Sequence, residues 1–268
     1  MVKITNSKKN KPVIFTDLDD TLLDRNYSPG EALPVLKILQ KKKVPIIFCT
    51  AKTKAEQEVI REELNVKHPF IVENGSAIYI PKRYFGVKKG KLVGGYEVII
   101  LGVKFEEVRK EIEKLKKKYK IKSYYDMSAE EVSQVSGLSI EAAKRAKKRE
   151  FGETIIKADK KALEELKKKF NVVAGGRFIQ VFGKGADKGK AVRILADLYR
   201  ESNDIITIGI GNSFNDEPML RAVDIPALVK NPDGKWANLD IKNIYKARGI
   251  GPKGWVEVIK KFVLGNEN

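Results

Sequence analysis

Phe15-Thr16-Asp17-Leu18-Asp19-Asp20-Thr21-Leu22-Leu23-Asp24 places four aspartates within eight residues, directly after the apolar run Pro12-Val-Ile-Phe-Thr16 and with no basic residue among them. An apolar run of that length ending in acids reads as a buried strand whose last residues emerge at the edge of a sheet. In an open parallel sheet, ligands gather at the carboxyl ends of the strands, which is where these acids stand. Carboxylates crowded together repel unless a divalent cation or a shared proton offsets the charge. Hard oxygen ligands of this kind, one or two carboxylates beside a substrate phosphate, are what Mg²⁺ takes.

Outward from this stretch, helices and strands alternate. Apolar positions at Ala32, Leu33, Val35, Leu36 and Leu39 follow helical spacing, and Val44 to Cys49 is a second buried strand. Thr53 opens a helix with Glu56 as its capping-box partner. Pro69-Phe-Ile-Val72 and Ser76-Ala-Ile-Tyr-Ile80 flank Glu73-Asn74-Gly75, whose Asn-Gly pair reads as a tight hairpin turn. After Gly183-Lys-Gly185 the alternation resumes: a helix from Lys190 to Glu201, a strand from Asp204 to Ile210, a helix from Asn215 to Ala222, a strand from Ile225 to Val229 and a last helix closing near Leu264. Between these blocks the pattern is mixed. A strand at Glu97 to Leu101 precedes a long helix from Lys104 to Tyr119, short helices at Ala129 to Val135 and Ile140 to Lys148, a strand near Glu153 to Lys157, a helix from Lys160 to Lys169 and two strands around Gly175-Gly176. The expected fold class is α/β: a doubly wound, mostly parallel, Rossmann-like sheet formed by residues 1–83 and 186–268, with an α+β cap inserted at 84–185.

The 268 residues suffice for a large core without disulfide or metal support. The single cysteine, Cys49, excludes an intrachain disulfide and suits a reducing cytoplasm. The apolar runs are too short to cross a bilayer, and no apolar stretch follows the basic Met1-Val-Lys-Ile-Thr-Asn-Ser-Lys-Lys9 as a signal peptide would require. The net charge is +18, and residues 84–185 carry 25 basic and 14 acidic side chains, so the excess concentrates in the cap. Solvated Lys/Glu helix faces of a heat-adapted protein explain most of it, and an anionic small substrate suits the rest. Nucleic acid is a third reading of the charge, but neither zinc-finger spacing nor an RNA-recognition signature accompanies it.

Four separated segments together resemble the haloacid dehalogenase superfamily of phosphohydrolases: Asp17-Leu-Asp19-Asp20-Thr21, Thr50 at the end of Ile46-Ile-Phe-Cys-Thr50, Lys188 in Gly185-Ala-Asp-Lys188-Gly189, and Gly211-Asn212-Ser-Phe-Asn215-Asp216. The resemblance implies that Asp17 attacks phosphorus and forms an aspartyl-phosphate, that Asp19 acts as general acid and then general base, and that Thr50 and Lys188 hold the phosphoryl oxygens. It also implies a Mg²⁺ held by Asp17, Asp19, Asn212 and Asp216. Asp20 stands where the family commonly has glycine, and Asn212 where it usually has aspartate. The lost negative charge should weaken metal binding, and Asp20 is a candidate to restore it. With Asn212 in that place, a phosphate-ligand-binding protein without efficient turnover is also consistent with the motifs.

Finer similarity is to the mannosyl-3-phosphoglycerate phosphatases. It lies in Glu73-Asn-Gly-Ser-Ala-Ile-Tyr-Ile-Pro81, Lys52-Thr-Lys-Ala-Glu-Gln57, Gly175-Gly-Arg-Phe178 and Arg149-Glu150-Phe151. Gly152 departs from the serine usual after that last segment. The similarity implies a small anionic sugar phosphate as substrate: mannosyl-3-phosphoglycerate first, glucosyl-3-phosphoglycerate or another sugar phosphate such as sucrose 6-phosphate second. Arg177 is then the candidate for the carboxylate or phosphate, Asn74 and Ser76 for sugar hydroxyls, and Lys52 for the anion. His68, alone before Pro69, reads as structural.

Overall fold

The computed structural model describes residues 10–175 and 177–265. The basic segment 1–9 and Gly176 of the expected strand break lie outside the described residues. The chain begins with β1 (Lys11–Thr16), α1 (Ala32–Lys41), β2 (Ile46–Phe48), α2 (Lys54–Glu63), β3 (Phe70–Val72), β4 (Ala77–Pro81), β5 (Lys91–Val93) and β6 (Tyr96–Ile100). It continues through α3 (Phe105–Lys116), β7 (Ile121–Ser123), α4 (Ala129–Ser136), α5 (Ile140–Ala146), β8 (Gly152–Ala158), α6 (Lys160–Lys169), β9 (Phe170–Gly175) and β10 (Phe178–Gly183). It closes with α7 (Lys188–Arg200), β11 (Ile205–Gly211), α8 (Glu217–Leu220), β12 (Ile225–Lys230), β13 (Tyr245–Ile250) and α9 (Pro252–Ile259).

The central sheet has the order β13-β12-β11-β1-β2, and its described pairs are parallel. The period-2 alternation of a strand sorts its side chains to two faces. Ile14 joins Val35, Leu36 and Leu39 of α1 and Trp255 and Val258 of α9 on one side. Val13, Phe15, Ile47 and Cys49 join Ala191, Val192 and Leu195 of α7 on the other. Apolar layers on both faces are what make these strands read as near-continuous hydrophobic runs. Thr53 caps α2, its hydroxyl accepting from Glu56 N (3.1 Å) while Glu56 Oε2 accepts from Thr53 N (2.8 Å), as the sequence predicts. No helix among the described residues is long and apolar enough to cross a membrane.

Two antiparallel sheets complete the molecule, β3-β4-β6-β5 and β7-β8-β10-β9. The second forms the floor of the inserted unit, backed by α3 and α6 through Val108, Ile112, Leu166 and Val181. The expected division after residue 83 falls inside the first sheet. There β4 and β6 pair from Ala77↔Ile100 to Pro81↔Tyr96, and β5 pairs in turn with β6, so the sheet that begins with β3 continues past residue 83. The chain crosses outward at Leu101–Val103 and returns at Gly183–Gly185, and the two crossings touch. A Cβ on Gly183 would lie 2.8 Å from Val103 N, and one on Gly185 2.8 Å from Leu101 O. Side chains at either position would push the strands apart.

The structure differs from the sequence expectation in smaller ways. The helix expected over Asn215–Ala222 is a single 3₁₀ turn at Phe214–Asp216 followed by the short α8, with Pro218 in its first turn. β3 and β4 do form a hairpin, with Val72 opposite Ala77. The connection is not a two-residue turn: Glu73 (φ 45°) and Asn74 (φ 59°) are both left-handed within a 3₁₀ turn.

Candidate active site

A cleft opens between the carboxyl ends of the central strands and the inner face of the inserted unit. Its floor carries Asp17, Asp19, Asp20, Thr50, Lys52 and Asn212. Asp17 follows β1, and its backbone N–H donates to Ile210 O of β11 (2.9 Å), which fixes the turn out of the sheet. Behind it, Trp255 Nε1 donates to Thr16 Oγ1 (3.1 Å), and that hydroxyl donates to Asp17 O (2.8 Å).

Beneath the floor lies a buried charge triad. Lys188, at the first turn of α7, donates to Asp17 Oδ1 (3.0 Å) and to Asp216 Oδ1 (2.6 Å). Lys188 and Asp216 are fully enclosed and Asp17 nearly so. Burial pushes the Asp17 carboxyl above the usual carboxylate range; Lys188 opposes this, while Asp216 and Asp19 add to it. Burial likewise penalises the Lys188 ammonium, but Asp17 and Asp216 outweigh that penalty and keep it charged. A buried lysine between two carboxylates is stable only with both partners present.

Asp216 is committed on its other side as well. Its Oδ2 accepts from Asn212 N (3.0 Å) and Ser213 N (3.1 Å), clamping the turn that presents Asn212. Asn212 exchanges hydrogen bonds with Asn231, its Nδ2 donating to Asn231 Oδ1 (2.9 Å) and Asn231 Nδ2 donating to its carbonyl (2.9 Å). Asn212 therefore faces the cleft with its amide orientation set, whereas Asp216 lies behind.

Lys52 is buried and stands 3.0 Å from Asp19 Oδ1 and 3.6 Å from Glu56 Oε1, over the ring of Tyr27. Burial disfavours its charge, but Asp19 and Glu56 more than compensate and hold its pKa above the ordinary value. Asp20 takes a left-handed conformation (φ 54°), which explains the usual glycine at such a position. Burial and then Asp19 raise its pKa, with Arg25 and Arg177 opposing.

The expected residues Asp17, Asp19, Thr50, Lys52, Asn212 and Arg177 converge on one cleft. Arg177 enters from the cap, where its guanidinium donates to Ser136 O (2.9 Å). Asn74 and Ser76 are not brought to the cleft: both are buried, and the Ser76 hydroxyl donates to Glu73 O (2.7 Å). Several lining residues were missed from sequence. Thr154 and Gln180 sit opposite each other in the β8–β10 register, with the Thr154 hydroxyl donating to Gln180 Oε1 (3.2 Å). Tyr124 and Phe178 meet edge-to-face beside them, and Tyr27 and Arg149 complete the rim. Gln180, a polar residue within the run Phe178-Ile-Gln-Val-Phe182, is the signal that could have found this wall.

The donors offered to a cation at the floor are hard oxygens: the Asp17 and Asp19 carboxylates or carbonyls and the Asn212 amide. Among the described residues, no group of three His, Cys, Asp or Glu gathers to hold a metal by side chains alone. Hard oxygen donors of this kind suit Mg²⁺, which keeps several waters and needs few protein ligands.

Residues 14–236 match the model of the haloacid dehalogenase-like hydrolase family. The chain is 43% identical to the glucosyl-3-phosphoglycerate/mannosyl-3-phosphoglycerate phosphatase of Methanococcoides burtonii, covering 96% of this chain and 99% of that one. It is 44% identical to the mannosyl-3-phosphoglycerate phosphatase of Pyrococcus furiosus over 81% of this chain and 90% of that one. Its fold superposes on a crystal structure from Thermoplasma acidophilum with a TM-score of 0.69, at 16% identity and covering 96% of this chain and 100% of that one.

Proposed function

The chain belongs to the haloacid dehalogenase-like hydrolases and is a phosphatase, and we propose that its substrate is mannosyl-3-phosphoglycerate, hydrolysed with Mg²⁺ to mannosylglycerate and phosphate. The observation that carries this reading is the pairing of an enclosed Asp17–Lys188–Asp216 triad under the floor with a cleft whose rim bears Arg149 and Arg177. The floor suits phosphoryl transfer, and the rim suits a leaving group that is itself anionic.

In this mechanism the Asp17 carboxylate attacks phosphorus in line and becomes an aspartyl-phosphate, dividing hydrolysis into two easier displacements. Lys188 holds Asp17 in place rather than reaching across the cleft. Asp19 delivers a proton to the departing glycerate oxygen, then removes one from the water that cleaves the acyl phosphate. Lys52, 3.0 Å from Asp19, fixes that carboxylate's orientation between the two tasks. The Thr50 hydroxyl binds the phosphoryl oxygens. Asp17, the Asp19 carbonyl and Asn212 would hold Mg²⁺, which when bound supplies positive charge to the phosphoryl oxygens.

On the cap, Arg177 pairs with the glycerate carboxylate, while Thr154 and Gln180 meet sugar hydroxyls. The core unit extends through residues 84–100, so the cap proper runs from Val103 to Gly183 and closes about the paired crossings. A cytoplasmic site of action follows from the substrate and from Cys49. Glucosyl-3-phosphoglycerate is a second substrate on this reading, since the Methanococcoides burtonii relative is named for both.

Phosphate release from mannosyl- and glucosyl-3-phosphoglycerate, sucrose 6-phosphate, hexose phosphates and 3-phosphoglycerate, with Mg²⁺ and with EDTA, tests the proposal. The glycosyl-3-phosphoglycerates should lead the panel, EDTA should stop turnover, and Asp17→Asn should cost roughly 10³-fold or more on every substrate. Equal turnover across the panel would remove the substrate assignment.

A further inference from the structure

The segment Glu73-Asn74-Gly75-Ser76 stands away from the cleft lining, yet it is wholly buried and its first two residues are held at positive φ. Left-handed backbone at two successive non-glycine residues persists only where surrounding contacts over-determine it. Those contacts run to four separate places.

Toward the phosphate end, Glu73 N donates to Lys52 O (3.1 Å) and Asn74 N to Thr50 O (3.0 Å), so the segment is stitched to the loop that presents Thr50 and Lys52. Against the start of α7, Gly75 (φ 87°) fits so tightly that a Cβ there would lie 2.1 Å from Asp187 O and 2.7 Å from Lys188 N. At the outgoing crossing, the Ser76 carbonyl accepts from both Leu101 N and Gly102 N (2.9 Å each). Toward the cap, the Glu73 carboxylate leaves the core altogether. Its Oε1 accepts from Glu150 N (2.8 Å), its Oε2 accepts from Phe151 N (3.2 Å), and Arg149 Nε lies 3.3 Å from Oε2. Arg149 itself lines the cleft and donates through its other nitrogen to Ala51 O (3.1 Å). Beside this strap, the Tyr79 hydroxyl donates to Glu150 Oε2 (2.7 Å).

We infer that the Glu73–Ser76 segment couples cap position to the phosphate site, with the Glu73 carboxylate as the positioning residue that joins them. Residues 149–151 cannot shift relative to the core without straining the Glu73 bonds, and the backbone of Glu73 and Asn74 carries that strain to Thr50 and Lys52. Each cap-side bond uses one oxygen of the same carboxylate. The isosteric Glu73→Gln therefore keeps one acceptor and sets an amide NH₂ against the remaining backbone N–H. The inference rests on the proposed reading in one respect, that the preferred substrate touches both core and cap.

Two measurements test it separately. Hydrogen–deuterium exchange on the full chain asks about the coupling without any substrate. Glu73→Gln should speed exchange about tenfold at residues 149–151 and also at 50–53, which the substitution does not touch. Acceleration confined to 149–151, or none at all, would overturn the coupling. Kinetics then compare the best phosphoglycerate substrate with p-nitrophenyl phosphate, which is too small to need the cap. Glu73→Gln should lose roughly tenfold or more in kcat/KM on the large substrate and less than about threefold on the small one. A purely structural role would lower both alike, and that result would also count against the inference. Should Glu73→Gln fail to fold, Tyr79→Phe removes one bond of the same strap while keeping the ring stacked on Phe70, and it must show the same selectivity in reduced measure. Failure of the substrate assignment would show instead in the wild-type panel, with the exchange result standing.

Discussion

The floor of the cleft and the cap wall that faces it are assembled in opposite ways. At the floor, Lys188, Asp17 and Asp216 come from three distant parts of the chain, are buried, and satisfy one another by charge. On the wall, Thr154 and Gln180 are neighbours by strand register, Tyr124 and Phe178 by ring contact, and Arg177 reaches inward from a connection with a carbonyl as its partner. Any change at the floor strands a charge in a dry place, whereas the wall can exchange one neutral side chain for another with no electrostatic consequence. On the proposed mechanism, preorganised charge at the floor serves the reaction, and the choice of leaving group falls to the part of the molecule that tolerates substitution.

The contrast is open to attack from its strongest side first. Lys188→Met leaves two enclosed carboxylates facing each other. It should cost about 3 kcal/mol in urea-induced unfolding at neutral pH, besides most of the activity. An unfolding midpoint equal to wild type would mean that the floor charges are not coupled as described.

Acid offers a milder probe of a buried titratable group away from the cleft. His68 is held neutral: burial, and then the nearby Arg61 guanidinium, push its pKa down from the usual 6.5 to about 4. Its ring nitrogen instead meets the Tyr84 hydroxyl at 2.6 Å. Because the folded-state pKa is the lower one, its contribution is fully present above pH 6.5 and is lost as pH falls from 6.5 toward 4. The loss should be about 3 kcal/mol, read as the difference in pH dependence between wild type and His68→Asn. Parallel pH profiles would refute it.

On the wall the effects should be smaller and confined to the substrate. Arg177→Ala should raise KM for the phosphoglycerate about tenfold, with kcat/KM on p-nitrophenyl phosphate and the unfolding midpoint unchanged. Equal losses on both substrates would place Arg177 with the floor instead.

This division also explains what the amino-acid sequence discloses. Asp17 and Asp216 were legible because they closely follow strands buried on both faces, where acids after an apolar run have few structural explanations, and Lys188 was legible through the family resemblance of its motif. The Thr53/Glu56 box was legible because capping is local. By contrast, β5 is an exposed edge strand, and β7 and β13 are partly exposed, so they lack the apolar runs that mark the central strands. The pairing of β6 with β4 across the expected division after residue 83 was not legible, because it is a non-local event with no local signature. Asn74 and Ser76 were assigned to sugar hydroxyls from the family similarity of the segment Glu73–Pro81, while the Asn-Gly pair itself reads as a hairpin turn. Nothing local announces that the Glu73 carboxylate would be carried across to Glu150 N and Phe151 N and bury the turn with it. Apart from Arg177, the wall went unread because its polar pair exists only in the register of two strands.

One further consequence belongs to Cys49. It stands at the end of β2, one residue before Thr50, fully enclosed against the α7 side of the sheet, and burial pushes its thiol far from ionisation. Since the thiolate is the nucleophile, no thiolate is presented to attack a small aromatic disulfide reagent while the sheet is closed. As the sole cysteine of the chain, it is a stopwatch supplied by nature. With reagent in excess, the labelling rate counts openings of the central sheet, and slower labelling on adding Mg²⁺ or a phosphate analogue would time how firmly each holds the sheet shut, with no engineered probe.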